Sequence, residues 1–398
     1  MNKVLSQNQD TSLLDDRKTL RKLELNYRKN KTQDNSAAMD QLAAEFRYLD
    51  AKDAYWNPEP FSLLYGTRLW DESSEAQCVK LNQIYWVAYY SQIVSAEIAT
   101  IFFNQTSAAG LYSLEDFRLV CDTLDLESAQ ERAHINAFKK VGEEFEQAVF
   151  GERLFTYSMR GPFVETMILR NTNRVKRFWR WIQLHAYASL SSDNAFIGCQ
   201  YFAVRGVRTL NGKLIQHQLG KLHSKAPDSA PIPATISHCH FLDESFHFNS
   251  STIISHDVVK SLPPPTKFER WVANLTLRGT QKDHYSFSTA INGLFWYDPA
   301  LYPKVYKVLR SPLFDLSKDT AKEMMEACFA RESEGLHLSA KSRQTALDSY
   351  KEYLADIDYV DRANKEMAIM SGNSVAKHLE TNARALRRFF RRLDADEA

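Results

Sequence analysis

The chain has little cysteine, no long hydrophobic run and almost no net charge. Its five cysteines among 398 residues are scattered and form no Cys-x-x-Cys pair: Cys78, Cys121, Cys199, Cys239 and Cys328. This pattern argues against a disulfide framework and against a zinc ribbon. No apolar run reaches the roughly 18 residues that a membrane span requires. We therefore expect a cytoplasmic protein with no membrane partner.

The charge balance and the missing motifs exclude further classes. The chain has 50 Lys and Arg against 49 Asp and Glu, a net charge of +1, which gives no electrostatic reason to expect a nucleic-acid partner. Neither a glycine-rich phosphate loop nor a Gly-x-Ser-x-Gly motif occurs. The aromatic content of 12% favours a large packed interior.

The strongest motif present is His240-Phe-Leu-Asp-Glu244-Ser-Phe-His247. Spacings of four and three residues place His240, Glu244 and His247 on one face of an α-helix, over about two turns. All three are side chains that bind transition metals. One helix would therefore supply three metal ligands.

A second motif, Glu131-Arg-Ala-His134, repeats the Glu-x-x-His spacing more than a hundred residues earlier. Helix-bundle di-iron proteins carry this unit on two of their four core helices. A single such unit is common on surface helices, but both units here lie among apolar residues. Buried carboxylates and imidazoles need partners, and metal ions can hold several of them together.

A four-helix site also needs one carboxylate from each of the two other helices. Glu97 is the only acidic residue between Leu81 and Phe103, a stretch so apolar that its helix should be buried on most sides. The other apolar helix is predicted from about Phe178 to Val204. Its only acidic residue, Asp193, is the predicted fourth carboxylate, and the alternatives are Asn194, Gln200 and His185 on that helix and Glu165 before it.

In this order, the predicted ligands resemble those of the di-iron arylamine N-oxygenases, typified by p-aminobenzoate N-oxygenase. Glu97, Glu131, His134, His240, Glu244 and His247 match the pattern, which covers about residues 75 to 255 and rests on ligand spacing. Asp193 departs from it, because the family has a Glu there. The resemblance implies a ferritin-like fold with one histidine more than the usual di-iron bundle.

The resemblance also implies two iron ions, Fe2+ or Fe3+, that use O2 as co-substrate to oxidise an amine nitrogen. Manganese is the alternative metal, and no catalytic residue is predicted beyond the ligands. The substrate would be a small molecule such as an aromatic amine, and electrons would come from an external donor or reductase. Two alternatives remain open: a di-iron hydroxylase or desaturase acting on carbon, and a ferritin-like metal-binding protein without oxygenase turnover. A homodimer is a further expectation.

The predicted fold class is all-α, a ferritin-like four-helix bundle with additional N- and C-terminal helices. Residues 1–73 should form an arm and short helices, 74–260 the bundle, and 261–398 a helical extension packed on it. Glycines and prolines predict a long loop at about 205–235, either as a lid over the metal site or as a disordered or partner-contacting insertion. The last helix should dock through Leu386, Phe389, Phe390 and Leu393. Further helices are expected near 267–275, 285–296, 319–330 and 340–359.

Overall fold

A computed structural model describes residues 12–155, 174–285 and 299–396. Within these segments all regular structure is helical, which confirms the all-α prediction. Of the earlier predictions, Glu165 and all but the first residue of the helix from Tyr285 to Trp296 lie outside the described residues. None of the described helices combines the length and hydropathy that a membrane crossing needs.

These segments contain twelve longer helices. They are α1 (Arg17–Thr32), α2 (Ser36–Glu45), α3 (Glu75–Leu111), α4 (Arg118–Phe150), α5 (Arg174–Asp193), α6 (Ala195–Lys225), α7 (Ile232–His256), α8 (Lys267–Asp283), α9 (Tyr302–Arg310), α10 (Lys318–Phe329), α11 (Glu334–Ala355) and α12 (Val375–Asp396). Single α-helical turns occur at Tyr48–Ala51, Arg68–Asp71 and Arg362–Lys365.

Four long helices form the bundle. Helix α3 packs against α4 and α6. Helix α7 packs against the same two helices, diagonally across the bundle from α3. Their ends carry ordinary signals: Ser74 and Gln77 form a capping box at the start of α3, and Gly151 ends α4 in a left-handed conformation (φ 68°). This arrangement agrees with the predicted ferritin-like bundle and brings the inward faces of all four helices to one interior.

The predicted loop at about 205–235 is wrong, because α6 continues to Lys225 and α7 begins at Ile232. Gly206 allows close packing within α6, because a Cβ at this position would overlap the hydroxyl of Tyr353 on α11. The prolines stand where helices start, since Pro231 caps α7 and Pro233 lies in its first turn. The helix predicted from Phe178 to Val204 is likewise two helices, because Asn194 is extended and caps α6 through its side chain.

Helices at both ends of the chain are docked, α1 and α2 on the bundle and α12 on α10 and α11. Helix α1 contacts α4 and α7, and α2 contacts the same pair, so the N-terminal region is docked on the bundle from α1 onward. At the other end, Leu386 is buried, and Phe389, Phe390 and Leu393 pack against the same core. The predicted docking of the last helix is therefore confirmed.

Gly206 and Gly212 provide a matched test of α6. Gly206→Ala should destabilise the protein by about 1–3 kcal/mol, because the methyl group has to displace Tyr353. Gly212→Ala should be neutral or stabilising by up to about 1 kcal/mol, since alanine is the better helix former and its Cβ would meet only Gln216, at 3.8 Å. Urea unfolding measures both. Equal stability of the two variants would contradict this packing.

Candidate metal centre

Six of the seven predicted ligands come together in the middle of the bundle. Glu97 is on α3, Glu131 and His134 are on α4, and the other three, His240, Glu244 and His247, are on α7. They form two groups, Glu97–His134–His240–Glu244 and Glu131–Glu244–His247, and within each group one ligand atom per residue lies within 4.8 Å of the others. All six side chains are buried. We call these the four-residue group and the three-residue group.

The four-residue group is centred on Glu97. Its Oε1 lies 3.1 Å from Nε2 of His240 and 3.6 Å from Nδ1 of His134. Neither oxygen of Glu97 accepts a well-directed hydrogen bond, although the side chain is buried. A carboxylate left in this state is costly, and a metal ion between it and the two imidazoles would be its missing partner. The residues therefore fit a bound metal ion.

Glu244 links the two groups. Its Oε1 lies 2.9 Å from Nδ1 of His247 and 3.7 Å from Nε2 of His240. Nδ1 of His247 is also 3.4 Å from Oε1 of Glu131. Because one carboxylate belongs to both groups, it can bridge two metal ions, as carboxylates do in dimetal bundles.

The far nitrogens of two imidazoles are held by residues that the prediction did not include. Nε2 of His134 lies 3.0 Å from Oδ2 of Asp243, and Nε2 of His247 lies 2.9 Å from Oε1 of Gln130. Such contacts fix the ring orientation and tautomer of a metal-bound histidine. Asp243 could have been found from the sequence, because it follows His240 by three residues on the same helix.

These outer partners are in turn held by the N-terminal region. Asn30 of α1 and Gln130 exchange two amide hydrogen bonds, of 3.1 and 2.8 Å. Asn35, just before α2, donates to Oδ1 of Asp243 at 2.7 Å. Both histidines are thus oriented through side chains from residues 30–35. No local pattern in the sequence signals this role.

Aromatic rings close the centre on one side. Phe138 lies 4.9 Å from His240 between ring centroids, and Tyr90 lies 5.7 Å from it. Tyr90 and Phe138 also stack on each other at 4.1 Å. These rings keep water from the four-residue group, which strengthens electrostatic interactions inside it.

Burial and mutual charge perturb the titration of this cluster strongly. Burial raises the pKa of Glu97 well above its usual range and, helped by the nearby imidazoles, lowers the pKa of His240 well below its own. For His134 and His247, burial favours the neutral ring, but the surrounding carboxylates outweigh it: the pKa of His134 rises well above normal and that of His247 rises to about 10. For Glu131, burial opposes ionisation, yet His247 and His134 hold its pKa well below normal. The centre therefore attracts positive charge.

Asp193 does not join the centre, and this prediction is corrected. It is exposed at the C-terminal end of α5. Its neighbour Ser192 lies against Gly110 of α3, which is about 20 Å along the helix from Glu97. Among the alternatives, His185 is exposed and Asn194 caps α6, whereas Gln200 is buried on α6.

The fourth helix supplies a cation instead of a carboxylate. Helix α6 contains no Asp or Glu, and its buried Arg205 donates from Nη1 to Oε2 of Glu127 at 2.6 Å. Nη2 of Arg205 lies 3.8 Å from Oε1 of Glu131. Sequence reasoning missed Arg205 because it sought only metal ligands.

The helices and the two buried groups define a helix-bundle protein with the residues for a dimetal site. A family model described as CylC-like acyl halogenase matches residues 18–390. Because this match covers most of the chain, the protein belongs to the CylC-like acyl halogenase family. No curated protein and no solved structure matches the chain significantly.

The family match corrects the resemblance to arylamine N-oxygenases. The predicted ligands other than Asp193 do converge, but the order and spacing of glutamates and histidines on four helices is common to more than one dimetal bundle. The spacing therefore identified the kind of centre and not the reaction. The prediction that this protein oxidises an amine nitrogen is therefore wrong.

Because Glu244 belongs to both groups, we expect different variants to retain different numbers of metal ions. Wild type should bind about two ions per chain, Glu244→Ala none, and His247→Ala about one, because only Glu244 belongs to both groups. His223→Ala and Asp193→Ala, which alter residues outside the centre, should still bind about two. Elemental analysis after anaerobic loading with Fe(II) measures this. Two ions in Glu244→Ala would contradict the assignment.

Substitution of Asp243 should weaken metal binding without abolishing it. Asp243→Asn keeps the shape of the side chain but weakens its contact with His134, and it should lower metal affinity about 10- to 100-fold. Competition with a chelating dye measures the affinity. The control is Asp257→Asn, at the end of α7, where the carboxylate pairs with Lys22 at the surface. If both variants bind metal like wild type, Asp243 does not support His134.

Proposed function

We propose that this protein is a dimetal halogenase that uses O2 to replace a C–H bond of an acyl substrate with a carbon–halogen bond. The observation that carries the proposal is the family match, which extends over every residue of the buried centre. The centre supports it chemically, because three carboxylates and three imidazoles suit two redox-active ions. We propose iron for both positions, with manganese as the alternative.

The electron balance defines what else the reaction needs. Replacing hydrogen by halogen, with halide as the halogen source, withdraws two electrons from the carbon substrate. Reduction of O2 to two molecules of water takes up four electrons and four protons. The substrate C–H bond supplies two electrons and one proton, so two electrons and three protons come from outside. We therefore propose an external electron donor or reductase as a partner.

The residues of the centre have separate roles in this proposal. A pair of bound iron ions would supply the O2 activation. Glu244 would bridge the pair, Glu97, His134 and His240 would hold one ion, and Glu131 and His247 would hold the other. Asp243 and Gln130 would keep the imidazole rings of His134 and His247 in place.

The surroundings favour carbon chemistry that must be protected from water. Tyr90 and Phe138 form an apolar wall beside His240, which would limit attack by water on reactive species.

Product analysis tests the proposal. Protein loaded anaerobically with Fe(II) is given O2, a chemical reductant, sodium chloride and a series of fatty acids and acyl thioesters. Mass spectrometry should detect an acyl product with one hydrogen replaced by chlorine, recognisable by its isotope pair, and bromide should give the brominated product. The Glu244→Ala variant should form neither product.

Two results would contradict this function. If the acyl product carries only a hydroxyl group at every halide concentration, the protein is a hydroxylase that acts on carbon. Iron binding without any change in the acyl substrates would favour a metal-binding protein without oxygenase turnover. His223→Ala, which leaves the centre intact, serves as the positive control for handling and loading.

A further inference from the structure

Arg205 occupies the position from which a fourth carboxylate would reach a dimetal centre. In helix-bundle di-iron proteins each of the four helices contributes a carboxylate, but α6 has no acidic residue. Arg205 is only 2% exposed, and its Nη2 lies 3.8 Å from Oε1 of Glu131. The helix therefore presents a buried positive charge to the centre.

Only part of the guanidinium group is satisfied by the protein. Nη1 donates to Oε2 of Glu127 at 2.6 Å, and the other oxygen of Glu127 accepts from the hydroxyl of Ser250. Nε and Nη2 have no acceptor, since 3.8 Å to Glu131 is too long for a hydrogen bond. Buried N–H groups almost always have a partner. Two donors on one edge of a guanidinium group are thus available for an anion.

The adjacent metal position is short of ligands. The three-residue group contains Glu131, Glu244 and His247, whereas the other group has four residues. Arg205 lies beside Glu131, which belongs to the smaller group. A metal ion with three protein ligands keeps an open coordination position for an external ligand.

We propose that Nε–H and Nη2–H of Arg205 bind a halide ion, chloride or bromide, next to the three-residue group. Arg205 and Glu131, whose Oε1 lies 3.8 Å from Nη2, are both buried, so hydrogen bonds to an anion held there would be little weakened by water. Phe202 lies 5.7 Å from Cζ of Arg205 and shields the guanidinium group. The identity of the anion rests on the proposed function, which requires a halide near the metal ions.

Halide binding can be measured without turnover. Protein loaded with Zn(II), which is redox-inert, is titrated with sodium chloride, and the chlorine NMR line width reports bound chloride. Wild type should show a saturable broadening that bromide reverses. The double variant Glu127→Gln/Arg205→Met, which removes the ion pair together, should raise the half-saturating chloride concentration at least tenfold. Arg278→Lys, at a partly exposed arginine paired with Asp361, should match wild type.

Arg205→Lys is a second variant that keeps a cation for Glu127 but loses the paired donors, and it should bind chloride several-fold more weakly. Crystals of wild type grown in sodium bromide should show an anomalous peak at hydrogen-bond distance from Nε and Nη2. Wild-type broadening that does not saturate, equal binding by the Arg205 variants, or a bromide peak elsewhere would each overturn the halide site.

The outcomes separate this site from the proposed function. Halide binding that depends on Arg205, without formation of a halogenated acyl product, would keep the site and remove the function. Halogenated product from wild type, with normal halide binding by the Arg205 variants, would keep the function and remove the site.

Discussion

Five carboxylates and three imidazoles are held out of water at the centre of a helical bundle, and the rest of the structure depends on balancing them. The carboxylates belong to Glu97, Glu127, Glu131, Asp243 and Glu244, and all are buried. Removing a charge from water costs far more than a typical packing contact supplies, unless the charge is paired. Arg205 and amide donors from the N-terminal region provide part of that pairing, and bound metal ions would provide the rest. The length and apolar character of α3, α4, α6 and α7 keep these groups together.

The N-terminal helices are part of the centre rather than an appendage. Through Asn30 and Asn35 they hold Gln130 and Asp243, which in turn orient His247 and His134. An imidazole ring that is held through its second nitrogen keeps its metal-facing nitrogen in one position. Less conformational entropy of the side chain is therefore lost when a metal ion binds. The family match begins at residue 18 and therefore includes α1. The centre thus extends beyond the four bundle helices.

The spacing of the metal ligands along the helices does not determine which reaction a dimetal bundle catalyses. The spacings of His240, Glu244 and His247 are those at which helical side chains share a face, so any bundle that holds two metal ions can arrive at them. This centre differs from the usual helix-bundle di-iron arrangement at the fourth helix, where Arg205 stands in place of a carboxylate. A cation there would favour an anion as the external ligand of bound metal ions. None of the six residues that matched the N-oxygenase pattern lies on this helix.

By itself, the sequence determined the all-helical class and six residues of the centre, because helical periodicity and i, i+3 and i+4 spacing are local properties. It misjudged Asp193 and the segment 205–235, since whether a glycine ends a helix or lets one pack closely depends on what lies opposite, here Tyr353. Only the tertiary structure paired Arg205 with Glu127, and Asn35 with Asp243, across large separations in the chain. Those pairings follow from which helices are neighbours, and that is decided by the packing of the whole chain.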